Sequence, residues 1–487
     1  MVTSVETASS SSLLDRMMVE GKMAREENQR PYARDLLAEF VDQVLAETGS
    51  AITVDVVEAI NQRIGQIDEL ISHQLNEIIH HAEFQKLEST WRGLHYLIAN
   101  TETSTTLKIR AFNVSKKDLA KDLDSAIEFD QSALFKSVYE AEYGTLGGTP
   151  YGLLIGDYEF GRNPQDQALL EKVSNVAAAA HAPFIAAASP SLFDMASFSE
   201  LSAPRDLSKI FETAEMVKWR SFRASEDSRY VALVLPHTLV RLPYGPKTVP
   251  VEGVNFVEDV DGRDHSKYLW GNAAWALGAR ITNAFAQYSW PAAIRGVEGG
   301  GKVEGLPTHT FKTDEGDIAL KCPTEIAITD RREKELNDLG LISLVHCKNT
   351  DYAAFFGGQT VNLPKVYETN EANSNARLSA MLPYVLVASR FAHYIKVMMR
   401  DKVGSFMTKS DVEAYLSRWI SMFVTADDNA TQRVKAQYPL REARIDVYDV
   451  PGRPGVYRAN VFLRPHFQLE ELSASIRLVA ELPPQEA

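Results

Sequence analysis

The chain is predicted to be a multidomain α+β protein, with mixed sheets flanked by helices, a helical N-terminal arm and strands at its C-terminus. Three observations predict this. At 487 residues the chain is too long for one hydrophobic core. Helix-period and strand-period apolar runs interleave along it, with no short internal repeat. Its last stretch, Ala443 to Leu482, alternates at period two around a Pro/Gly turn.

Residues 1–12 are small and polar and predict no fixed structure. Leu13 to Gln29 predicts a short amphipathic helix with an apolar patch at Leu14, Met17 and Met18, weakened by Gly21. Pro31 opens the next helix, whose face is Leu37, Phe40, Val41 and Val44, and Gly49 closes it. Val54 to Ile98 carries the longest periodic signal. Val57, Ile60, Ile64, Ile67 and Ile71 fall at spacings of three and four, and Ile78 continues the seam. Leu87, Trp91, Leu94 and Ile98 resume it after a phase shift. Gly65 and the shift near Ala82 predict a break, and the whole reads as a strut able to pack on a partner helix.

Thr105 to Val114 alternates and predicts a strand, after which Ser115 caps a helix, with Asp118 at the capping-box position. Phe129 to Pro150 is expected to be loop. Tyr151 to Tyr158 predicts a strand. A helix from Asn163 or Pro164 runs through Leu169, Val173 and Val176, and Phe184 to Ala188 is strand again, so this region reads as a local α/β layer. Tyr230 to Leu235 predicts a buried strand and Pro236 to Gly253 a loop. Helix is expected at Lys267 to Trp290, loop at Gly296 to Gly305 and strand at Glu325 to Ile328. Thr329 or Asp330 caps a helix over Arg331 to Leu339, which Gly340 ends. A strand follows at Ser343 to Cys347, then helices at Asn375 to Asp401 and Lys409 to Thr425. At the end, Ile445 and Val447 lie in one strand, Pro451 to Gly455 make the turn, and Tyr457 and Val461 lie in the returning strand. Ile476 and Leu478 lie in a third. Strands at a chain end offer unpaired N–H and C=O groups, which a neighbouring chain can cover by strand addition or an internal sheet can absorb. These patterns divide the chain into an arm over 1–52, a long-helix and α/β region over 53–305, and a region over 306–487 that ends in the strands.

A formal charge of −14, from 65 acidic and 51 basic residues, disfavours nucleic acid and anionic lipid as partners. Two cysteines, Cys322 and Cys347, make neither a disulfide framework nor a zinc spacing. Met1 to Ser12 lacks the basic and apolar regions of a secretory signal, and no window matches a membrane span. The expected location is the cytoplasm.

No catalytic constellation emerges, and no cofactor or metal is expected. Gly299-Gly300-Gly301-Lys302 lacks the Ser or Thr that a phosphate loop requires after its lysine. His73, Glu77 and His81 share a helix face but lie in line over two turns, so one ion would need a partner from elsewhere. Arg390, His393, Lys396 and Arg400 recur at spacings of three and four. They read either as a solvated face or as a positive stripe that meets an acidic surface.

Longer motifs carry a resemblance. They are Trp91-Arg92-Gly93-Leu94, Pro150-Tyr151-Gly152-Leu153-Leu154-Ile155-Gly156-Asp157-Tyr158-Glu159-Phe160, Arg241-Leu242-Pro243-Tyr244-Gly245 and Ile294-Arg295-Gly296. With them go Pro323-Thr324-Glu325, Ser389-Arg390-Phe391-Ala392-His393-Tyr394 and Leu463-Arg464-Pro465-His466-Phe467-Gln468-Leu469. In this order they resemble the large subunit of the contractile sheath of bacterial type VI secretion, related to phage tail sheaths, over nearly the whole chain.

The resemblance implies a phage-tail-sheath-like core and a structural rather than enzymatic role. It implies pairing with a small sheath subunit, and a helical sleeve of such pairs around an inner tube of hexameric rings. It also implies assembly on a baseplate, and shortening that drives the tube into another cell. Strands shared between subunits would come from the arm and the C-terminus, here Ile445, Val447, Tyr457, Val461, Ile476 and Leu478. Leu13, Leu14, Met17, Met18 and Met23 lie in a segment resembling the helix by which a hexameric ATPase grips contracted sheath for recycling. Arg390, Lys396 and Arg400 are candidates to touch the tube or a partner. The rival classes are a cytoplasmic enzyme, which would need a pocket of convergent polar groups, and a static scaffold.

Overall fold

The computed structural model of the chain describes residues 24, 26–47, 56–203, 205–405, 407–427, 429–452, 457–466 and 468. They fall into two compact units, one made of residues up to 81 together with 243–260, the other of 82–242 and 261–487.

The first unit is built on helices α1 (Arg30–Glu47) and α2 (Val56–Ile79). Gly65 does not interrupt α2, where the sequence suggested a break. A single glycine costs about 1 kcal/mol in a helix, which a helix of 24 residues absorbs; α2 ends at His80 and His81, beside the phase shift near Ala82 that also predicted a break. Its C-terminal half holds the 243–260 segment. Asn76 accepts from the Asp259 amide at 2.9 Å. The buried Glu258 carboxylate takes the Tyr244 amide at 2.8 Å and lies 3.2 Å from the His80 ring.

The second unit begins with α3 (Ala82–Ala99) and α4 (Lys116–Ser125). The Ser115 hydroxyl accepts from the Asp118 amide, as the capping pattern requires. Strand β1 (Leu154–Phe160), helix α5 (Pro164–Ala180), β2 (Phe184–Ala188), helix α6 (Val217–Ala224) and β3 (Val231–Leu235) follow. Then come helix α7 (Ala274–Tyr288), β4 (Lys302–Val303), the hairpin of β5 (Thr310–Lys312) and β6 (Ile318–Leu320), helix α8 (Asp330–Asp338), β7 (Leu341–His346) and β8 (Ala353–Phe355).

Six strands form one sheet in the order β1-β2-β3-β7-β8-β4. The first four run parallel and the last two pair antiparallel. The sheet takes strands from both sides of residue 305, where the sequence suggested a boundary. Its faces explain the continuous apolar runs of the central strands. Along β3, Val231, Leu233 and Leu235 turn to a core with Leu170, Val173, Trp219, Phe193 and Leu336, while Ala232 and Val234 turn to one with Leu277, Ile281 and Phe355. Helices therefore cover both faces.

Helices α9 (Asn370–Ser379), α10 (Leu382–Asp401), α11 (Lys409–Ser421) and α12 (Gln432–Gln437) precede a final hairpin, β9 (Leu440–Asp449) and β10 (Tyr457–Pro465). The single helix expected at Asn375 to Asp401 is two, parted at Ala380 and Met381, with Pro383 in the first turn of α10. A third core joins Phe391 and Val387 of α10 to Leu416 and Ile420 of α11, Trp290, and Leu440, Ile445 and Val447 of β9. Leu382 and Leu386 of the same α10 belong to the core beneath the sheet.

Two expected strands are absent. Thr105 to Val114 is extended but joins no ladder. Glu325 to Ile328 forms no ladder beyond an isolated bridge of Thr324 with Thr238, where the Glu325 amide donates to the His237 carbonyl. The segment expected to be loop from Phe129 to Pro150 contains a short helix, Ala133–Phe135, that widens to π spacing over Lys136–Tyr143.

Phe391 is fully buried and stacks on Trp290 at 4.3 Å between ring centroids. Phe391→Ala is expected to destabilise this unit by about 3–5 kcal/mol, read as a lowered urea midpoint. A change below about 1 kcal/mol would mean the third core is loosely packed.

Candidate functional site

Four features bear on function: a terminal hairpin, a helix line of cations, an ionised bridge and a deep cleft.

The hairpin pairs nine residue positions of β9 with β10, among them Ile445 with Val461, Val447 with Ala459 and Asp449 with Tyr457. Ile445 and Val447 are buried against α10 and α11, so this face belongs to the chain's own core. The outer edge of β9 is partly occupied. Leu440 bonds to Phe423 and Thr425 backbone, and the Val447 amide donates to the Glu413 carboxylate at 3.3 Å. Among the described residues no strand pairs with the outer edge of β10, where Val461 and Phe462 are exposed. The third expected strand, with Ile476 and Leu478, lies outside the described residues. So do Leu13, Leu14, Met17, Met18 and Met23.

The positive stripe expected on α10 is not a free charged face. His393 is buried, and its Nε2 donates to the Ala180 carbonyl at 2.9 Å. Burial, helped by neighbouring cations, pushes its pKa down to about 4, so it carries no charge near neutrality. Arg390 lies over the Phe285 ring and donates to the Tyr394 hydroxyl. The Lys396 ammonium sits 3.4 Å from the Tyr143 ring centroid and donates to the Tyr139 hydroxyl at 3.1 Å. Arg400 donates to the carbonyls of Tyr143 and Thr145. The π-wound turn that presents Tyr139 and Tyr143 leaves no marked signature in the sequence, so the docking of this line on its own chain was hidden there.

The glycine loop is likewise committed to structure. The Gly296 amide donates to Phe355 and the Gly301 amide to Gly296, while Gly301 accepts from Phe355. A Cβ on Gly300, which has φ +92, would meet the Ala293 carbonyl at 2.2 Å. Amides bound this way cannot cradle a phosphate, and Lys302 pairs with Glu304.

His237 follows β3 and lies between two carboxylates. Its Nδ1 is 2.6 Å from Glu325 and its Nε2 3.1 Å from Glu159. Glu325 also accepts from the Ser197 hydroxyl and the Phe198 amide. Two carboxylate partners require both ring nitrogens to be donors, which makes the ring an imidazolium. Burial alone would lower its pKa, but the bonds to Glu159 and Glu325 overcome this and hold it up at about 9. The same pairing holds both carboxylates below their ordinary range, against the opposing effect of burial. The bridge ties the C-terminal part of β1 to the 236–240 and 323–325 segments. No local spacing signals it, since its members lie 78 and 88 positions apart.

The cleft has a volume of about 1560 Å³ and is walled by α3, the extended 105–116 segment, residues 149–159 and residues 264–275. Its carboxylates are engaged. Asp157 accepts from Thr90 at 2.6 Å and from the Trp275 indole, Asp264 caps Ser266, and Glu159 and Glu325 hold His237. Lys116 pairs with Asp166 and Arg110 with Glu142. The Ser197 and Thr90 hydroxyls each donate to one of these carboxylates, and among the described residues no group of three or more His, Cys, Asp or Glu is placed to hold a metal. Among the described residues no helix is long and apolar enough to cross a membrane.

Comparison with known proteins adds the following. Residues 61–362 match the family model described as EvpB/VC_A0108, tail sheath N-terminal domain, and residues 371–482 match EvpB/VC_A0108, tail sheath gpW/gp25-like domain. The chain is 50% identical over 460 residues to the type VI secretion system sheath protein TssC1 of Pseudomonas aeruginosa, covering 94% of this chain and 92% of that protein. Among solved structures it is similar to the sheath complex of an extracellular contractile injection system in its contracted state. There the TM-score is 0.35 and the identity 9%, over 63% of this chain and 68% of that one. It is also similar to a chain of the anti-feeding prophage baseplate, with TM-score 0.34 and 11% identity over 64% and 66% of the two chains.

Two predictions follow from the geometry. The folded pKa of His237 lies above its ordinary 6.5, so the stability it contributes is complete below about pH 6.5 and is lost as pH rises through about 9. The lowered carboxylate values act the other way, contributing stability above their ordinary range that is lost as pH falls. His237→Gln should therefore lower the urea midpoint at about pH 6 and match wild type at about pH 10; equal loss at both would assign His237 a packing role only. Lys396→Met should cost about 1–2 kcal/mol in the same assay, and an unchanged midpoint would return Lys396 to solvent.

Proposed function

Because this chain belongs to the EvpB/VC_A0108 tail sheath family and is a subunit of a type VI secretion contractile sheath, we propose that it is the large member of a two-chain repeat laced to its neighbours by backbone pairing at β10. Its companion in the repeat is a small sheath subunit. Repeats wind into a helical sleeve on a baseplate, around a tube of hexameric rings, and the sleeve shortens to drive the tube and its cargo into a target cell. The work is mechanical rather than catalytic, and the sleeve is assembled in the cytoplasm. The segment 13–29 serves a hexameric ATPase that recycles spent sheath.

The single observation that carries the lacing is the hairpin. One face is anchored in its own core through Ile445 and Val447, while the outer edge of β10 has no strand partner among the described residues. A buried face holds the hairpin to its subunit, and an open edge can accept a strand from another. Backbone pairing tolerates sliding and rotation at its flanks better than an interlocked side-chain interface, whose packing would have to be broken and remade. Extended sheath is then a metastable packing, and contraction improves burial between subunits while the ladders persist.

Deleting residues 473–487, the segment we propose a neighbouring copy lays along the β10 edge, and co-expressing the chain with its small partner tests this. The expected result is a folded two-chain complex in size-exclusion chromatography, with no long tubes in negative-stain micrographs. Tubes of ordinary length would overturn the strand-lacing reading.

A further inference from the structure

Cys322 is held beside a base, on backbone that is fixed from both sides. It follows β6, where the Lys321 amide donates to the His309 carbonyl at 2.7 Å and the Pro323 carbonyl takes the Leu239 amide at 2.8 Å. His346 closes β7, opposite Ala353 of β8, and its ring is the side-chain hydrogen-bond partner of the Cys322 thiol. The ring Nε2 donates to the Thr350 carbonyl at 2.8 Å. A carbonyl only accepts, so Nε2 carries the proton of the neutral ring and Nδ1 is the nitrogen left to take one from sulfur. A nucleophile, a base and a group that orients the base make the arrangement that activates a thiol.

The surroundings favour the sulfur as an anion. The Thr324 amide and hydroxyl both reach it, the hydroxyl oxygen at 3.1 Å. Lys321 is buried, lies over the Tyr268 ring and donates to the Gly262 carbonyl at 3.0 Å. Its charge reaches the Cys322 sulfur, with Asp261 and Asp264 the acidic groups that also act on it. Burial would raise the Cys322 thiol, but the bonds from His346 and Thr324 overcome this and hold it below its ordinary value. The bond to Cys322 raises His346 in return, against the effect of burial. A lowered thiol with partial exposure marks a reactive cysteine, and Cys322 is half-buried rather than sealed. Neither Cys322 nor His346 lines the cleft beside α3.

We propose that Cys322 and His346 form a thiol-modification site that takes up a small disulfide as a reversible adduct. The Cys322 sulfur, as thiolate, attacks one sulfur of the disulfide. A new S–S bond forms to Cys322 and the old one breaks. The departing thiolate takes the proton that His346 accepted from Cys322. One disulfide is consumed and one is formed, so the exchange needs no further oxidant. Cys347 is the internal reference. It too is half-buried, but its side chain meets the Tyr352 hydroxyl instead of an imidazole. The proposal does not rest on the strand lacing at β10.

Glutathione disulfide is the probe, added to the reduced full chain, and peptide mass spectrometry follows each cysteine. At about pH 7 Cys322 is expected to form the mixed disulfide about tenfold or more faster than Cys347, and dithiothreitol should reverse it. The Cys322 rate plotted against pH should reach half-maximum below the roughly 8.5 of an ordinary thiol. His346→Gln should slow Cys322 about tenfold and move that half-maximum upward, with Cys347 unchanged. A thermal melt checks that the variant is folded; where it is not, the wild-type pH profile decides alone. The proposal is overturned if Cys347 reacts as fast as Cys322, or if Cys322 stays unmodified in the folded chain. A half-maximum at or above about 8.5, or a folded His346→Gln variant that reacts at the wild-type rate, would overturn it as well. Tube formation in micrographs reports separately on the lacing.

Discussion

Parallel strands with apolar side chains on both faces cannot be left half covered, and this constraint orders the second unit. β1, β2, β3 and β7 place alternate residues into two cores, so helices must close both sides: α5, α6 and α8 on one, α7 and the start of α10 on the other. Among the apolar groups left outside are the stripe of Leu87, Trp91 and Ile98 on α3 and Val461 and Phe462 of the last hairpin. The outer edge of β10, proposed above to take a neighbour's strand, is a place where this closing of layers stops.

The sequence was most legible where burial is two-sided or a cap is local. Val231 to Leu235 is an unbroken apolar run and is a central strand. Ser115 caps a helix because its hydroxyl reaches the Asp118 amide, a contact within one turn. Ile445, Val447 and Val461 alternate and pair as expected. It was least legible where long-range contacts override the local pattern. Thr105 to Val114 has the alternation of a strand but no neighbour to pair with. Glu325 sits in a strand-like run yet serves His237 and Ser197. The cations of α10 have the spacing of a free stripe, but aromatic rings and carbonyls far away in the chain take them up. No local rule for spacing or propensity contains that information.

The same contrast applies to the functional reading. The motif order alone points to the sheath family, and the family match bears it out. The cleft beside α3 and the imidazolium bridge at its border were not visible as sites, because their members are scattered over much of the chain. Only the periodicity of Leu87, Trp91, Leu94 and Ile98 hinted at a helical partner. The structure adds that Leu87, Trp91 and Ile98 are left exposed, which spacing alone cannot tell.

Helix α10 belongs to two cores at once. Leu382 and Leu386 lie beneath the central sheet, and Val387 and Phe391 lie under the terminal hairpin. A tug applied to the hairpin therefore passes through about 14 Å of one helix, from Phe391 to Leu382 at roughly 1.5 Å per residue, and arrives at the sheet layer. Traction on one subunit would move that layer as a body instead of peeling the hairpin away.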